Sequence, residues 1–186
     1  MPENDPIRTT LHDVTLELTL GDIAAQEGFD AVVNAANAEL RIGGGVAGAL
    51  HRAAGPGLEA EAVPLGPIRP GQAVITSGHE LPNPWVIHCL GPVYGRDEPA
   101  DELLAACYRE ALRICEEEAL GSVAFPALST GAFGYPLEAA TRVALDTVLA
   151  QIPSLESVRH IRWVLYDQRA LDTHERVLRE RLDPLE

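Results

Sequence analysis

The sequence predicts an α/β fold in which helices cover both faces of a mostly parallel sheet. Short apolar runs, typical of buried strands, alternate along the chain with amphipathic or small-residue helical patterns. The chain has 186 residues, of which 46% are hydrophobic, and this is enough to bury a core without disulfides or metals. We therefore expect one domain over residues 1–186 with short N- and C-terminal extensions.

The first half of the chain predicts four strands and one helix. Apolar and polar residues alternate over residues 9–20, as in a half-exposed strand, and Gly21 and Asp22 end it. The apolar run over residues 30–34 predicts a strand that is buried on both faces. The remaining elements predicted here are a small-residue helix over residues 46–54 and strands over residues 72–77 and 85–90.

The second half predicts two strands and three helices. Residues 101–118 show an amphipathic helical pattern, with one apolar stripe and charged residues opposite. That stripe consists of Leu104, Cys107, Tyr108, Ala111 and Cys115. A buried strand is predicted over residues 122–128, and Pro136 suits the first turn of the helix that follows it. The chain ends with a predicted strand over residues 160–166 and a helix over residues 171–182.

The charge composition excludes several function classes. The net charge is −14, and all 14 basic residues are arginines. A negative field repels polyanions, so we expect no non-specific nucleic-acid binding. Without lysine, the chain has no P-loop lysine, Schiff base or lysine general base. Any phosphate must therefore be bound by arginine or by backbone N–H groups.

Cysteine, histidine and hydropathy patterns give three further expectations. Cys89, Cys107 and Cys115 form no C-x-x-C pair, which indicates reduced core residues. The histidines have no metal-ligand spacing, so we expect no metal and no cofactor. No apolar run reaches about 18 residues, and the N-terminus has no signal-peptide core. We expect a cytoplasmic protein that does not enter a membrane.

Two glycine-rich loops each follow a buried strand and precede a helix. They are the run from Gly43 to Gly45 and residues 129–135. Glycine lets the backbone approach a ligand closely, and free N–H groups at a helix start bind anions. Two such loops suit two linked phosphates. The first loop also matches G-x-G-x-x-G through Gly48, but eight residues separate it from its strand, which disfavours a dinucleotide-binding oxidoreductase.

Four residues at predicted strand ends have two interpretations each. Asn34 and Asn37 either cap a turn or bind ribose hydroxyls. Asp22 either caps a short helix or accepts a hydrogen bond from an exocyclic amine. Tyr166 is either a core aromatic or a surface on which a base stacks.

Other polar residues have structural interpretations. His88 lies inside an apolar strand and is expected to be a hydrogen-bonded core histidine. His51 is expected on an exposed helix surface. Glu59 and Glu61 are expected to form a solvated helix face.

Five segments together resemble the macrodomain family. They are Gly21-Asp22-Ile23, Val33-Asn34-Ala35-Ala36-Asn37, Gly43-Gly44-Gly45-Val46, Val-Ile-His-Cys-Leu-Gly-Pro at residues 86–92, and Phe-Pro-Ala-Leu-Ser-Thr-Gly-Ala-Phe-Gly-Tyr-Pro at residues 125–136. They occur in the family's order and spacing, over roughly residues 16–182. The resemblance implies a three-layer α/β/α sandwich that binds ADP-ribose between the loops at residues 37–47 and 129–135.

The resemblance also assigns roles to individual residues. Asp22 and Ile23 would contact the adenine, with Tyr166 against the same ring, and Phe133 would cover the distal ribose held by Asn37. The full predicted ligand-binding set is Asp22, Ile23, Asn34, Asn37, Gly44, Gly45, Val46, Ala47, Ser129, Thr130, Gly131, Ala132, Phe133, Gly134 and Tyr166. The predicted catalytic residues are Asn37, Gly45 and Phe133.

Many macrodomains hydrolyse mono-ADP-ribosyl esters on protein Asp or Glu, or deacetylate O-acetyl-ADP-ribose, and the resemblance implies such an enzyme here. The chain departs from the family at two positions. Ala47 stands where one hydrolytic branch has aspartate, and Ile42 stands where other active members have histidine. Each departure removes a familiar acid–base group, which typically contributes about 10²–10⁴-fold. A non-catalytic ADP-ribose reader and ADP-ribose 1″-phosphate processing remain as alternatives, and the sequence indicates no oligomeric state.

Overall fold

A computed structural model describes residues 5–183, so residues 1–4 and 184–186 of the predicted extensions lie outside it. Seven strands form one sheet in the order β1-β2-β7-β6-β3-β5-β4. The strands are β1 (Ile7–Leu11), β2 (Val14–Leu20), β3 (Ala31–Ala35), β4 (Ala73–Ser77), β5 (Trp85–Cys89), β6 (Ser122–Phe125) and β7 (His160–Leu165). The helices are α1 (Gly45–Ala54), α2 (Pro56–Ala62), α3 (Ala100–Glu117), α4 (Leu137–Gln151) and α5 (Gln168–Leu182).

The five central strands β2, β7, β6, β3 and β5 are parallel to one another. The edge strands β1 and β4 pair antiparallel with β2 and β5. The carboxyl ends of the five parallel strands therefore share one edge of the sheet. In open α/β sheets this is the edge where ligands bind.

Helices cover both faces of the sheet, and the predicted α/β/α sandwich is confirmed. Helices α3, α4 and α5 pack on one face, where the largest buried rings are Tyr108, Phe125 and Trp163. Helices α1 and α2 pack on the other face through Leu50, Ala54 and Leu58. Successive residues of β3 are buried alternately against the helices of one face and those of the other, which explains why its sequence is a continuous apolar run.

The single strand predicted over residues 9–20 is wrong. The segment is a hairpin of β1 and β2, joined by His12 and Asp13. Both turn residues have positive φ, 47° and 65°, as a two-residue type I′ turn requires. The sequence carries no glycine here, so the alternating pattern runs through the turn without an obvious break.

Other boundaries differ for local reasons. β6 ends at Phe125 rather than continuing to residue 128, because Pro126 has no N–H for the sheet. Pro136 is the N-cap residue of α4 and precedes its first turn instead of lying in it. For α2, a helix was expected only around Glu59 and Glu61; its start at Pro56 and Gly57 has the composition of a loop.

The three cysteines are free and buried, as predicted. Their thiols lie in the layer beneath α3. Within residues 5–183, no helix is both long and apolar enough to cross a membrane.

Candidate functional site

The candidate site is formed by the loops that leave the carboxyl ends of the parallel strands. β2 leads into Gly21 and Asp22, and β7 leads into Tyr166. The Gly21 N–H donates to the Leu165 carbonyl at 3.2 Å, so these two strand ends are adjacent. β3 and β6 lead into the two glycine-rich loops. The sheet order therefore places Asp22 and Tyr166 at one end of the site and the β3 loop at the other.

The first glycine-rich loop runs into the start of α1. Gly44 precedes the helix, and no side chain caps it. The first N–H groups of a helix have no intrahelical partner, so those of Gly45, Val46 and Ala47 are available to an anion. Gly48 is required by packing, because a Cβ there would collide with the Gly43 carbonyl oxygen.

The start of this loop is fixed by two side chains. The Asn37 amide donates from Nδ2 to the Arg41 carbonyl at 3.0 Å, and its Oδ1 accepts from the Arg41 N–H at 2.9 Å. The Ile42 N–H donates to Glu59 Oε2 on α2 at 2.6 Å. Asn37 therefore closes its own loop, while α2 holds the residue that precedes the glycine run.

The second glycine-rich loop is folded back on itself. The Tyr135 N–H donates to the Ser129 carbonyl at 2.9 Å, and the Gly134 N–H donates to the Gly131 carbonyl at 3.0 Å. Ser129 has a φ of +66°, a conformation that residues with a side chain seldom adopt. Its buried hydroxyl has no partner within residues 5–183. Strain and an unpaired buried hydroxyl in one residue are typical of a functional loop.

Phe133 joins the two glycine-rich loops. Its ring packs against the cluster of Ala36, Leu40 and Leu90, which brings residues 129–135 against the loop that follows β3. Its carbonyl accepts from the Tyr94 N–H at 2.9 Å. The structure therefore places Phe133 against the loop that contains Asn37 and leads into α1.

The loop after β5 contacts the second glycine-rich loop, although the sequence alone assigns it no role. Tyr94 is 49% exposed, and its ring lies 4.8 Å from the Tyr135 ring between centroids. Gly91 lies against Ser129, and a Cβ at that position would collide with the serine hydroxyl. The Gly91-Pro92 pair that ends the strand was the available signal for a loop at the ligand-binding edge.

The Asp22 and Tyr166 end of the site is open. Asp22 caps a short 3₁₀ turn, because its Oδ1 accepts from the Ala24 N–H at 2.9 Å. The Tyr166 side chain is 96% exposed, so it is not a core aromatic. An exposed ring beside an exposed carboxylate suits a planar base that carries an amine.

Asn34, which the sequence places in the ligand-binding set, lies beneath the site. It is 1% exposed, and its Nδ2 donates to His88 Nδ1 at 3.0 Å. Since an amide nitrogen only donates, His88 carries its proton on Nε2 and donates it to Thr76 Oγ1 at 2.9 Å. Burial, assisted by His51, lowers the pKa of His88 to about 3. His88 is thus the hydrogen-bonded core histidine that was expected.

Glu59 and Glu61 lie on helix α2 as expected, and Glu61 is exposed, but both have partners. Glu59 accepts from the Ile42 N–H, and Glu61 accepts from His79 and the Ser77 N–H. The expectation for His51 is wrong. His51 is 4% exposed instead of lying on the surface. Burial lowers the pKa of His51, although the charge of Glu59 acts in the opposite direction.

The glycine run carries no acid or base at the two positions where the family places one. Ala47 is buried at the start of α1, and Ile42 is 52% exposed at the mouth of the loop. Among residues 5–183, no three His, Cys, Asp or Glu side chains are grouped so that they could hold a metal ion.

Comparison with known proteins agrees with this geometry. The family model described as "Macro domain" matches residues 33–144. A macro domain-containing protein of Streptomyces nogalater is 45% identical over 88% of this chain and 92% of its own length. The O-acetyl-ADP-ribose deacetylase of Klebsiella pneumoniae strain 342 is 41% identical over 87% of this chain and 95% of its own length. A solved structure of an Oceanobacillus iheyensis macrodomain mutant with ADPR superposes with a TM-score of 0.92 at 33% identity, over 96% of this chain and 99% of that one.

Proposed function

This chain belongs to the macro domain family, and from that premise we propose that it binds ADP-ribose and hydrolyses ADP-ribosyl esters of carboxylic acids. The substrates are mono-ADP-ribosylated Asp or Glu side chains of proteins, or O-acetyl-ADP-ribose. The proposal treats residues 1–186 as one macrodomain with short extensions.

One observation carries the proposal: Phe133 packs the loop at residues 129–135 against the loop that follows β3 and leads into the uncapped start of α1. A diphosphate bound there takes hydrogen bonds from backbone N–H groups and the favourable dipole of α1. This mode of binding suits a chain of net charge −14 without lysine, because the attraction is local.

The other end of the site suits adenine. Asp22 uses Oδ1 to cap its turn, and a carboxylate has capacity for further hydrogen bonds, such as one from an exocyclic amine. Tyr166 offers an exposed ring beside it. A base at this end and a diphosphate at the Phe133 contact direct the distal ribose toward Asn37 and Gly45. The solved neighbour with ADPR supports this arrangement.

The missing acid and base favour a carboxylate leaving group. For an ester carried on C1″, water attacks C1″, the bond from C1″ to the ester oxygen breaks, and the carboxylate leaves with the electron pair. One water proton passes to solvent and the other stays on the new hydroxyl. Since carboxylic acids have a pKa of about 4, the leaving group needs no proton from the protein. Orientation of the water by the bound diphosphate and the loops is then the main contribution of the site.

The test is ADP-ribose release from a glutamate-linked mono-ADP-ribosylated protein, followed over time beside calorimetric binding of ADP-ribose. Asn37→Ala removes both contacts to Arg41 and the predicted ribose contact, so we expect at least tenfold slower release. Glu118→Gln is the matched control, because Glu118 is exposed at the end of α3, next to the amino end of β6. In ¹⁸O-water, attack at C1″ leaves the released carboxylate unlabelled.

The second candidate is a reader that binds ADP-ribose without turnover. The observation that favours it is the absence of an ionisable side chain at Ile42 and Ala47. Tight binding with no release from glutamate-linked protein or O-acetyl-ADP-ribose would select the reader. Failure to bind ADP-ribose would reject both candidates.

A further inference from the structure

A continuous chain of polar contacts connects a fully buried carboxylate to the Asp22 turn. It starts at Glu17 in the middle of β2, continues through Arg162 on β7, and ends with Gln26 in the segment between β2 and β3. Only its last member, Gln26, contacts a site residue, through the Asp22 carbonyl. The chain of contacts lies on the α1 and α2 face of the sheet, where residues 21–30 cover β2 and β7.

The first link fixes Arg162. Glu17 is 0% exposed, and both Nε and Nη2 of Arg162 donate to its Oε2, at 3.0 and 2.8 Å. His160 and Arg8 contact the other oxygen of Glu17. Burial alone raises the pKa of Glu17, but the His160 hydrogen bond and the Arg162 charge outweigh it, so the pKa is lowered. A buried charge held this way leaves the guanidinium little freedom to reorient.

The second link fixes the orientation of Gln26. Arg162 Nη1 donates to Gln26 Oε1 at 2.8 Å, and the guanidinium lies 4.4 Å from the centroid of the Phe29 ring. Because arginine only donates, the Gln26 oxygen must face it, and the Gln26 nitrogen must face the other way. That nitrogen donates to the Asp22 carbonyl at 2.7 Å.

The backbone of Gln26 is held independently of its side chain. Asn83 Nδ2 donates to the Gln26 carbonyl at 2.7 Å and to the Phe29 carbonyl at 2.9 Å. Removing the Gln26 amide therefore leaves the path of the segment supported. What is lost is the side-chain contact to the Asp22 carbonyl, which then keeps only the Ala25 N–H.

We propose that Arg162 and Gln26 are positioning residues that hold the Asp22 carboxylate in register with the 6-amino group of adenine, and that they set the preference of the site for adenine. This inference rests on the proposed function, in which Asp22 accepts from that amine. Asp22 has no support from a regular ladder, because it lies after the end of β2. A displaced carboxylate loses a directional hydrogen bond but leaves stacking and diphosphate binding in place.

The test compares ADP-ribose with its hypoxanthine analogue, in which oxygen replaces the amine. A hydrogen bond to a charged acceptor predicts that the wild type prefers adenine by about tenfold or more. Gln26→Glu keeps the acceptor for Arg162 but places an oxygen against the Asp22 carbonyl, and Gln26→Met removes both contacts. We expect both variants to lower the preference at least threefold.

The matched control is Gln72→Met. Gln72 is exposed and likewise holds a backbone group, the Arg69 N–H, but it lies beside β4, across the sheet from β2. We expect it to leave the adenine preference unchanged. If the Gln26 variants weaken both ligands equally, with the preference intact, the role is merely structural and the inference is wrong.

A second readout needs no ligand and separates this inference from the proposed function. The Ala24 and Ala25 N–H groups donate to Asp22 Oδ1 and to the Asp22 carbonyl. Gln26→Glu should raise hydrogen exchange at these amides about tenfold, with unchanged protection at Trp163. Unchanged exchange at Ala24 and Ala25 overturns the positioning role. Faster exchange in a protein that binds no ADP-ribose keeps the positioning role and rejects the proposed function, and with it the role in adenine preference.

Discussion

The two faces of the sheet are packed by different chemistry. Beneath α3, α4 and α5, Trp163 contacts both Phe125 and Tyr108, with ring centroids 5.9 and 6.2 Å apart. Beneath α1 and α2, buried polar groups such as Glu17 and Asn34 share the face with a smaller apolar cluster. The aromatic face supplies apolar burial, whereas the polar face supplies hydrogen bonds to loops that have no ladder partners. The loops of the candidate site therefore depend on the less hydrophobic face.

The largest expected effect on stability comes from a substitution in the aromatic face. Phe125→Ala removes a fully buried ring and leaves a cavity between Tyr108 and Trp163, so we expect a loss of about 3–5 kcal/mol in the free energy of unfolding. Urea denaturation measures it. Val164→Ala removes a smaller side chain from the opposite face and should destabilise the protein less. An equal loss in the two variants would contradict the comparison.

The next effect concerns the start of α1 on the polar face. A methyl group at Gly48 collides with the Gly43 carbonyl, so Gly48→Ala should lower the free energy of unfolding by about 1–3 kcal/mol. It should also weaken the binding of ADP-ribose, since the glycine run must shift. Gly44→Ala is the matched variant for stability: nothing lies within 4 Å of its Cβ, and its φ of −86° suits any residue. A melting temperature lowered equally in both would show that packing at Gly48 is not limiting.

Acid should test this comparison further, because both faces bury histidines: His88 and His51 lie on the α1 and α2 face, and His174 lies on the other. Burial lowers the pKa of His88 to about 3 and that of His174 to about 4, both below the ordinary value of 6.5. The unfolded chain therefore binds protons first. Stability is fully present above pH 6.5 and falls as the pH drops toward 4, by about 1.4 kcal/mol per pH unit for each histidine.

Urea midpoints between pH 7.5 and 5 measure this slope. His174→Gln should make the dependence of stability on pH shallower by the contribution of one proton, because His88 and His51 then remain as the buried histidines. A slope that is identical in wild type and variant would mean that His174 titrates normally in the folded state.

The fold was largely predictable because its signals are local. Buried runs identified the parallel strands, and the amphipathic stripe identified α3 to within one residue at each end. The hairpin was not predicted because His12 and Asp13 adopt positive φ without glycine, and the start of α2 was not predicted because Pro56 and Gly57 have the composition of a loop.

The candidate site was predictable in its loops but not in its supports. Glycine runs are visible in the sequence, but side-chain partners are not when they are far apart along the chain. Ile42 and Glu59 are 17 residues apart, Asn34 and His88 are 54 apart, and Gln26 and Arg162 are 136 apart. Burial of Asn34 is a consequence of such a pairing, and no local pattern distinguishes it from an exposed strand-end amide.

The smallest expected effect separates binding from stability at the open end of the site. Tyr166 is 96% exposed, so Tyr166→Ala should change the free energy of unfolding by no more than about 0.5 kcal/mol. Loss of base stacking should weaken the binding of ADP-ribose by about 1 kcal/mol, or roughly fivefold, and Tyr166→Phe should keep the affinity of the wild type. Leu65→Ala, at another exposed apolar side chain, should leave the affinity unchanged. Calorimetry decides the result: an unchanged Kd for Tyr166→Ala removes the tyrosine from the site, whereas a fivefold loss without destabilisation shows that this residue serves the ligand and not the fold.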